Sequence, residues 1–176
     1  MGEDAMKAST LVVAVLLTIL GAVAAAAQPS PSAGAQQPAP PPAPPFGWPI
    51  TVEQAQKVAE AAMAKAKEIG VPNAVAVVEP TGDLVYFAKM DGAPYSAIQL
   101  AQQKAAAAAR YRRPTKAFYD GLEAGHLFFL TFPGVAGAPG GVPIVIDGKL
   151  VGAIGVSGGN GEQDAQVSGA GAAAAK

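Results

Sequence analysis

The chain has no cysteine, and only one histidine and one tryptophan among its 176 residues. Without thiols there can be no disulfide, thiolate metal site, cysteine nucleophile or lipid attached at a cysteine. Stability must come from packing. Charge is also scarce: the formal net charge is -1. No basic field is present to hold nucleic acid non-specifically, so no nucleic-acid partner is expected. The N-terminus carries no twin-arginine pair, and no internal repeat is evident.

What the N-terminus does have is Met6-Lys7 followed by an almost wholly apolar run from Leu11 to Leu20, with small residues through Ala27. This reads as a secretion signal, residues 1–27, with Ala25-Ala26-Ala27 before Gln28 as the small-x-small cleavage site. Glu3 and Asp4 are unusual in a charged leader; a start at Met6 would give the plain form. An uncleaved anchor is the competing reading, but the run is slightly short for a spanning helix. Export therefore predicts a periplasmic or secreted protein with no membrane partner once the leader is gone. Residues 28–47 are rich in Pro, Ala, Gln and Ser and predict an extended linker. Residues 48–176 then form one domain of ordinary size. Losing Lys7, Glu3 and Asp4 leaves 11 basic and 11 acidic residues, a balance compatible with self-association.

Within the domain, Thr51 with Gln54 forms a capping box for a helix ending at Gly70 and Pro72. Ala74 to Val78 and Leu84 to Met90 flank the turn residues Pro80 to Asp83 and predict a hairpin. Ser96 with Gln99 predicts a second capping box and a helix to about Ala109. Pro114 and Thr115 start a shorter helix that stops at Gly125. The apolar run Leu127 to Phe132 predicts a third strand. Gly140 to Gly159 reads as two strands joined by Asp147-Gly148, a pair suited to a turn with two positive φ angles. Gly152 and Gly155 interrupt the second of them, as where another group approaches the backbone closely. A last helix runs from about Glu162 into the alanine-rich tail. Strands adjacent in sequence and joined by tight turns predict an α+β layered domain with a mainly antiparallel sheet flanked by helices.

Taken in order, several of these pieces resemble the GlcG/HbpS family of haem-binding proteins, whose domain also occurs at the C-terminus of PduO-type proteins. They are Thr51-Val52-Glu53-Gln54-Ala55, Ala76-Val77-Val78 and Gly82, Lys89-Met90-Asp91-Gly92-Ala93, Gln103-Lys104-Ala105 and Arg113-Pro114-Thr115. Gly140 to Ile144, Asp147-Gly148, Gly152 to Gly158 and Gln163-Asp164 complete the set. The likeness spans about Thr51 to Ala174. It implies a profilin-like sandwich with a five-stranded sheet, assembly into homo-oligomers, and haem as cofactor. Glu79-Pro80 and Lys89 depart from the family pattern, which has an Asp and a small residue at the first place and Arg at the second.

For haem, His126 is the candidate axial and metal ligand, since histidine is a common proximal ligand and this one adjoins an apolar run. A histidine that merely complements a helix C-terminus is the plainer alternative. Met90, Tyr86, Tyr95, Tyr111 and Tyr119 are weaker ligand candidates. Lys104, Arg110, Arg112, Arg113 and Lys116 form one basic cluster; arginine forks suit the haem propionates, and a solvated helix end is the alternative. Ser157 to Gly161 precedes a helix but is neither a P-loop nor a dinucleotide fingerprint. Gly155-x-Ser157-x-Gly159 matches a hydrolase elbow in letters only, because that elbow needs a parallel sheet. No catalytic residue is assigned. The expected function is binding of haem as sensor, scavenger or buffer; haem degradation or redox assistance, and binding of another small molecule, are the alternatives. The lack of several positioned groups favours binding over catalysis.

Overall fold

A computed structural model describes residues 41–176. Four helices and four strands alternate in the order α1 (Val52–Glu68), β1 (Ala74–Val78), β2 (Leu84–Lys89), α2 (Ser96–Tyr111), α3 (Lys116–Glu123), β3 (Gly141–Ile146), β4 (Lys149–Ser157) and α4 (Gly161–Ala173). The sheet runs β2-β1-β4-β3, and every pairing is antiparallel. The α+β antiparallel reading therefore holds. The sheet among the described residues has four strands, however, not five.

The difference lies at Leu127 to Phe132. Leu127–Thr131 is a 3-10 helix with no buried residue. The run has no polar alternation to fix one face inward. Its aromatic side chains find partners among themselves and on α3 rather than in a ladder: the Phe128 and Phe129 rings lie 4.5 Å apart, and Phe118 and Phe129 5.5 Å apart.

Each face of the sheet is covered. On one side α1 and α4 enclose Val75, Val77, Ile154, Val156, Val58, Ala62 and Val167. On the other, α2 lays Ala97, Ala101, Ala105 and Ala108 over Ala74, Ala76, Val78 and Ala153. This second interface is built almost wholly of alanine, so the helix sits close. A side chain at Gly155 would meet the Ala101 carbonyl oxygen and the Ala105 nitrogen. The interruption of β4 at Gly155 is thus explained by the helix above it. Asp147 and Gly148 have φ of 49° and 74°, as the β3–β4 turn requires.

The caps follow local chemistry only in part. Thr51 and Gln54 form the expected capping box on α1. The Glu53 carboxyl beside it is held below the usual range by a backbone hydrogen bond and by the Thr51 hydroxyl. A second capping box, Asn160 with Gln163, opens α4. At α2, by contrast, Tyr95 is the cap and no side chain closes it, so Ser96 and Gln99 do not pair as expected. Ser96 is already the first helical residue, and its hydroxyl stands one position too late.

The folded part begins earlier than Trp48. Leu150 donates its N–H to the Pro45 carbonyl at 2.8 Å, and Gly47 donates to the Leu150 carbonyl at 2.7 Å. Pro45–Gly47, which composition groups with the linker, thus lie along β4 beyond the end of β1. The proposed leader and most of the linker fall outside the described residues. Among the described residues, no helix is long and apolar enough to cross a membrane.

Candidate functional site

The candidate ligand His126 is positioned by how α3 ends. Gly125 has φ of 85° and donates its N–H to the Leu122 carbonyl, while His126 donates to the Gly121 carbonyl at 2.9 Å. These two bonds form a Schellman motif, which needs the left-handed residue that glycine supplies. The helix stop visible in the sequence therefore fixes the backbone of His126. Its exposed imidazole stacks against Phe128 with ring centres 5.8 Å apart and lies 6.4 Å from Phe129. None of the described hydrogen bonds uses its ring nitrogens.

Behind the imidazole lies an aromatic cluster. Phe118 is fully buried and meets Tyr111 and Phe129 edge-on at 5.1 and 5.5 Å. Phe132 stacks on Tyr111 and meets Phe129 edge-on. In front of the cluster the 3-10 helix turns Leu127, Phe128 and Leu130 to solvent, with exposures of 65%, 53% and 70%. Large apolar side chains grouped like this form a shelf that calls for a partner or ligand.

The basic cluster does not stay together. Lys104 is only 4% exposed and forms a 2.7 Å ion pair with Asp164, while also donating to the Val156 carbonyl. Arg110 donates to the Thr81 carbonyl at the β1–β2 turn. Arg112, with φ of 51°, turns to the Phe46 ring and donates to the Pro44 carbonyl. Lys116 is held by Asp120 at 2.7 Å. Only Arg113 among them lies against the aromatic cluster, with its guanidinium 5.9 Å from the centre of Phe118. Proximity along the chain does not bring these cations to one place: Lys104 and Arg110 lie on different sides of α2, and the left-handed cap at Arg112 leads Arg113 and Lys116 off that helix.

The other ligand candidates are mostly engaged. The Tyr111 hydroxyl donates to the Pro133 carbonyl at 2.8 Å, and the Met90 sulfur accepts from the Asn73 N–H. Tyr86 packs against the main core, and Tyr95 sits beside the Lys89 ammonium. Tyr119 borders a half-open cavity of about 620 Å³, together with Lys116, Pro139, Asn160, Glu162 and Ala165. The glycine loop ahead of α4 is filled from within: the Gly159 N–H donates to Asp164 at 2.9 Å. Ser157 is buried in an antiparallel strand, so no nucleophile elbow forms.

Sequence reading missed the buried network of Lys104, Asp164 and Asn73. Asn73 donates to the second Asp164 oxygen at 3.1 Å, and its own side-chain oxygen is buried without a partner. The signal was present. Lys104 shares the helical stripe of Ala97, Ala101, Ala105 and Ala108, all buried. Among the described residues, no three His, Cys, Asp or Glu side chains group as a metal site.

Comparison with known proteins gives one consistent result. A family model described as "Haem degrading protein HbpS-like" matches residues 50–173. Protein GlcG of Escherichia coli is 39% identical over 107 residues, covering 58% of this chain and 80% of that protein. A solved Streptomyces reticuli HbpS double mutant has 31% identity and a TM-score of 0.66, over 84% of this chain and 97% of the other. A PduOC:Heme complex has 27% identity and a TM-score of 0.65, over 72% and 94%.

Proposed function

This chain belongs to the HbpS-like family, and from that membership we propose that it is an exported haem-binding protein whose binding surface is the shelf beside His126. The observation that carries the reading is the imidazole itself: its backbone is set by the helix stop, and it stands at the rim of an exposed apolar shelf. A relative of the same fold forms a complex with haem.

The residues fit the group. A flat apolar macrocycle needs an apolar surface, and Leu127, Phe128 and Leu130 offer one. The iron needs an axial donor, and a neutral imidazole is a common one. The propionates need a cation, and Arg113 offers a planar fork near the same cluster. Lys104 is left out of this site, because its charge is taken up by Asp164. Arg110 and Arg112 point to other surfaces. Bound haem supplies an iron centre able to exchange electrons or bind oxygen. The chain's own part would be to hold it: His126 would offer a ring nitrogen to the iron, Phe128 would orient the ring, and the shelf would exclude water from one face.

On this reading the protein acts in the periplasm or outside the cell, as a homo-oligomer that buffers, scavenges or senses haem. A hemin titration tests it. A saturable Soret shift is expected, altered in position by His126→Ala and weakened about tenfold by Arg113→Ala, in line with the loss of one charge-assisted bond. A featureless titration would remove haem binding. An unchanged spectrum in His126→Ala would remove only the ligand assignment. The family description favours a second reading, haem degradation. Incubating the complex with ascorbate and oxygen separates the two, since a stable Soret band rules out turnover.

A further inference from the structure

The glycine-rich loop Ser157 to Gly161 has no part in the haem reading, yet it ends in the pair Asn160-Gly161. The chain has only two asparagines, and they are held in opposite ways. Asn73 is fully buried just ahead of β1 and is followed by Ala74. Asn160 is exposed, caps α4, and is followed by a residue with no side chain. Its side-chain oxygen accepts from the Gln163 N–H at 2.9 Å, while its side-chain nitrogen enters none of the described hydrogen bonds. The Gly161 N–H is equally free, because the first amide of a helix has no acceptor one turn back. A backbone nitrogen without a partner therefore adjoins a carboxamide whose carbonyl is polarised, with no Cβ to hinder approach.

We propose that Asn160 is a self-modification site, converted in the folded chain to aspartate and isoaspartate with loss of ammonia. The Gly161 nitrogen gives its proton to solvent base and attacks Cγ of Asn160. Negative charge gathers on the side-chain oxygen, where the Gln163 N–H and the positive end of α4 stabilise it. The Cγ–Nδ2 bond then breaks, Nδ2 takes up a proton, and ammonia departs to leave a five-membered imide. One water opens the ring. Its addition at Cγ breaks the bond to the Gly161 nitrogen and yields aspartate. Its addition at the backbone carbonyl yields isoaspartate, whose main chain runs through Cγ. Closing the ring needs rotation of the Asn160 backbone from its extended ψ of 171°, so opening of the capping box sets the pace.

The two products act differently on the fold. An aspartate keeps the acceptor for Gln163 and adds negative charge at a helix start, where it is favourable. Isoaspartate inserts an extra main-chain carbon between two anchors. Gly159 is fixed by its N–H on Asp164 at 2.9 Å, and Asp164 is fixed by Lys104 at 2.7 Å. The longer chain must break the capping box or pull Asp164 off the buried lysine. Asn160 and Gly161 also line the cavity of about 620 Å³ with Lys116, so either product sets a new carboxylate at its rim.

The folded full chain is incubated at neutral and mildly alkaline pH and mapped by peptide mass spectrometry, with isoaspartate counted by enzymatic methylation. Conversion is expected at Asn160 alone, faster at the higher pH, with Asn73 intact. Asn160→Ser keeps a capping hydroxyl and should give no conversion. Gly161→Ala should slow conversion at least about tenfold, since a Cβ crowds the attacking nitrogen. Far-UV circular dichroism checks that both variants fold. The isoaspartate fraction should show faster hydrogen exchange over residues 161–173 than the aspartate fraction. An intact Asn160 in the folded chain would overturn the proposal, and conversion only after urea unfolding would show that the capping box protects the amide. Equal conversion at Asn73, or an unchanged rate in Gly161→Ala, would overturn it as well.

Discussion

Lys104 and Asp164 set the residue scale, because two charges with exposures of 4% and 2% must hold each other or destabilise the core. Their 2.7 Å contact is reinforced by the Val156 carbonyl on the lysine, and by Asn73 and the Gly159 N–H on the carboxylate. The network ties α2, the end of β4, the start of β1 and the first turn of α4 together. Asp164→Asn or Lys104→Met alone should cost about 3–5 kcal/mol, because each leaves a buried charge without its partner. The double substitution Lys104→Met with Asp164→Asn should cost clearly less than the two single losses added, because it removes both charges and keeps an amide oxygen to accept from Asn73 and the Gly159 N–H. Urea unfolding of the three variants checks this, and a double loss equal to the sum of the two single losses would refute the coupling. Lys104 also shows how sequence reading went astray. Nearness along the chain groups it with Arg110, Arg112 and Arg113, whereas its spacing from Ala97, Ala101 and Ala108 places it on the buried stripe.

At the scale of the element, α3 and the 3-10 helix form one unit, since the aromatic rings of Phe118, Phe128, Phe129 and Phe132 bridge them. Phe129 is the keystone by contact, meeting all three other rings and the imidazole of His126. Phe129→Ala should cost about 3 kcal/mol, at the low end for a buried phenylalanine because the site is partly exposed. It should also loosen residues 126–132 selectively. Hydrogen exchange measures this as faster exchange there, with α2 and β4 unchanged; a uniform change over the domain would count against a separate unit. The helix stop at Gly125 was legible because a left-handed terminus has its own chemistry. The segment after it was not. A short apolar run carries no periodicity, so the choice between strand and 3-10 turn falls to partners elsewhere in the chain. The hairpins were legible for the opposite reason: Asp147-Gly148 at the β3–β4 turn and Pro80 to Asp83 at the β1–β2 turn specify their turns locally.

For the whole molecule, the layered order was readable because α1, α2 and α3 each carry an apolar stripe and the hairpin turns have their own residues, so the antiparallel sheet follows with little freedom. What sequence could not reveal is which apolar residues remain outside. Leu127, Phe128 and Leu130 look like core by composition, and their exposure appears only when α3 and its neighbours are placed. That residue of uncovered surface must be met by a ligand or by another subunit, and one substitution separates them. Leu130→Asp removes apolar area from the centre of the shelf and sets a carboxylate where the apolar macrocycle would lie. Because Leu130 is 70% exposed, unfolding should change by no more than about 0.5 kcal/mol. Hemin affinity should fall at least about tenfold, from the lost burial of one leucine. Thermal unfolding, hemin titration and size-exclusion chromatography on the same variant read the three quantities. Weakened hemin binding at unchanged assembly size places haem on the shelf. Intact hemin binding with a smaller assembly gives the shelf to a subunit contact and moves the haem site elsewhere.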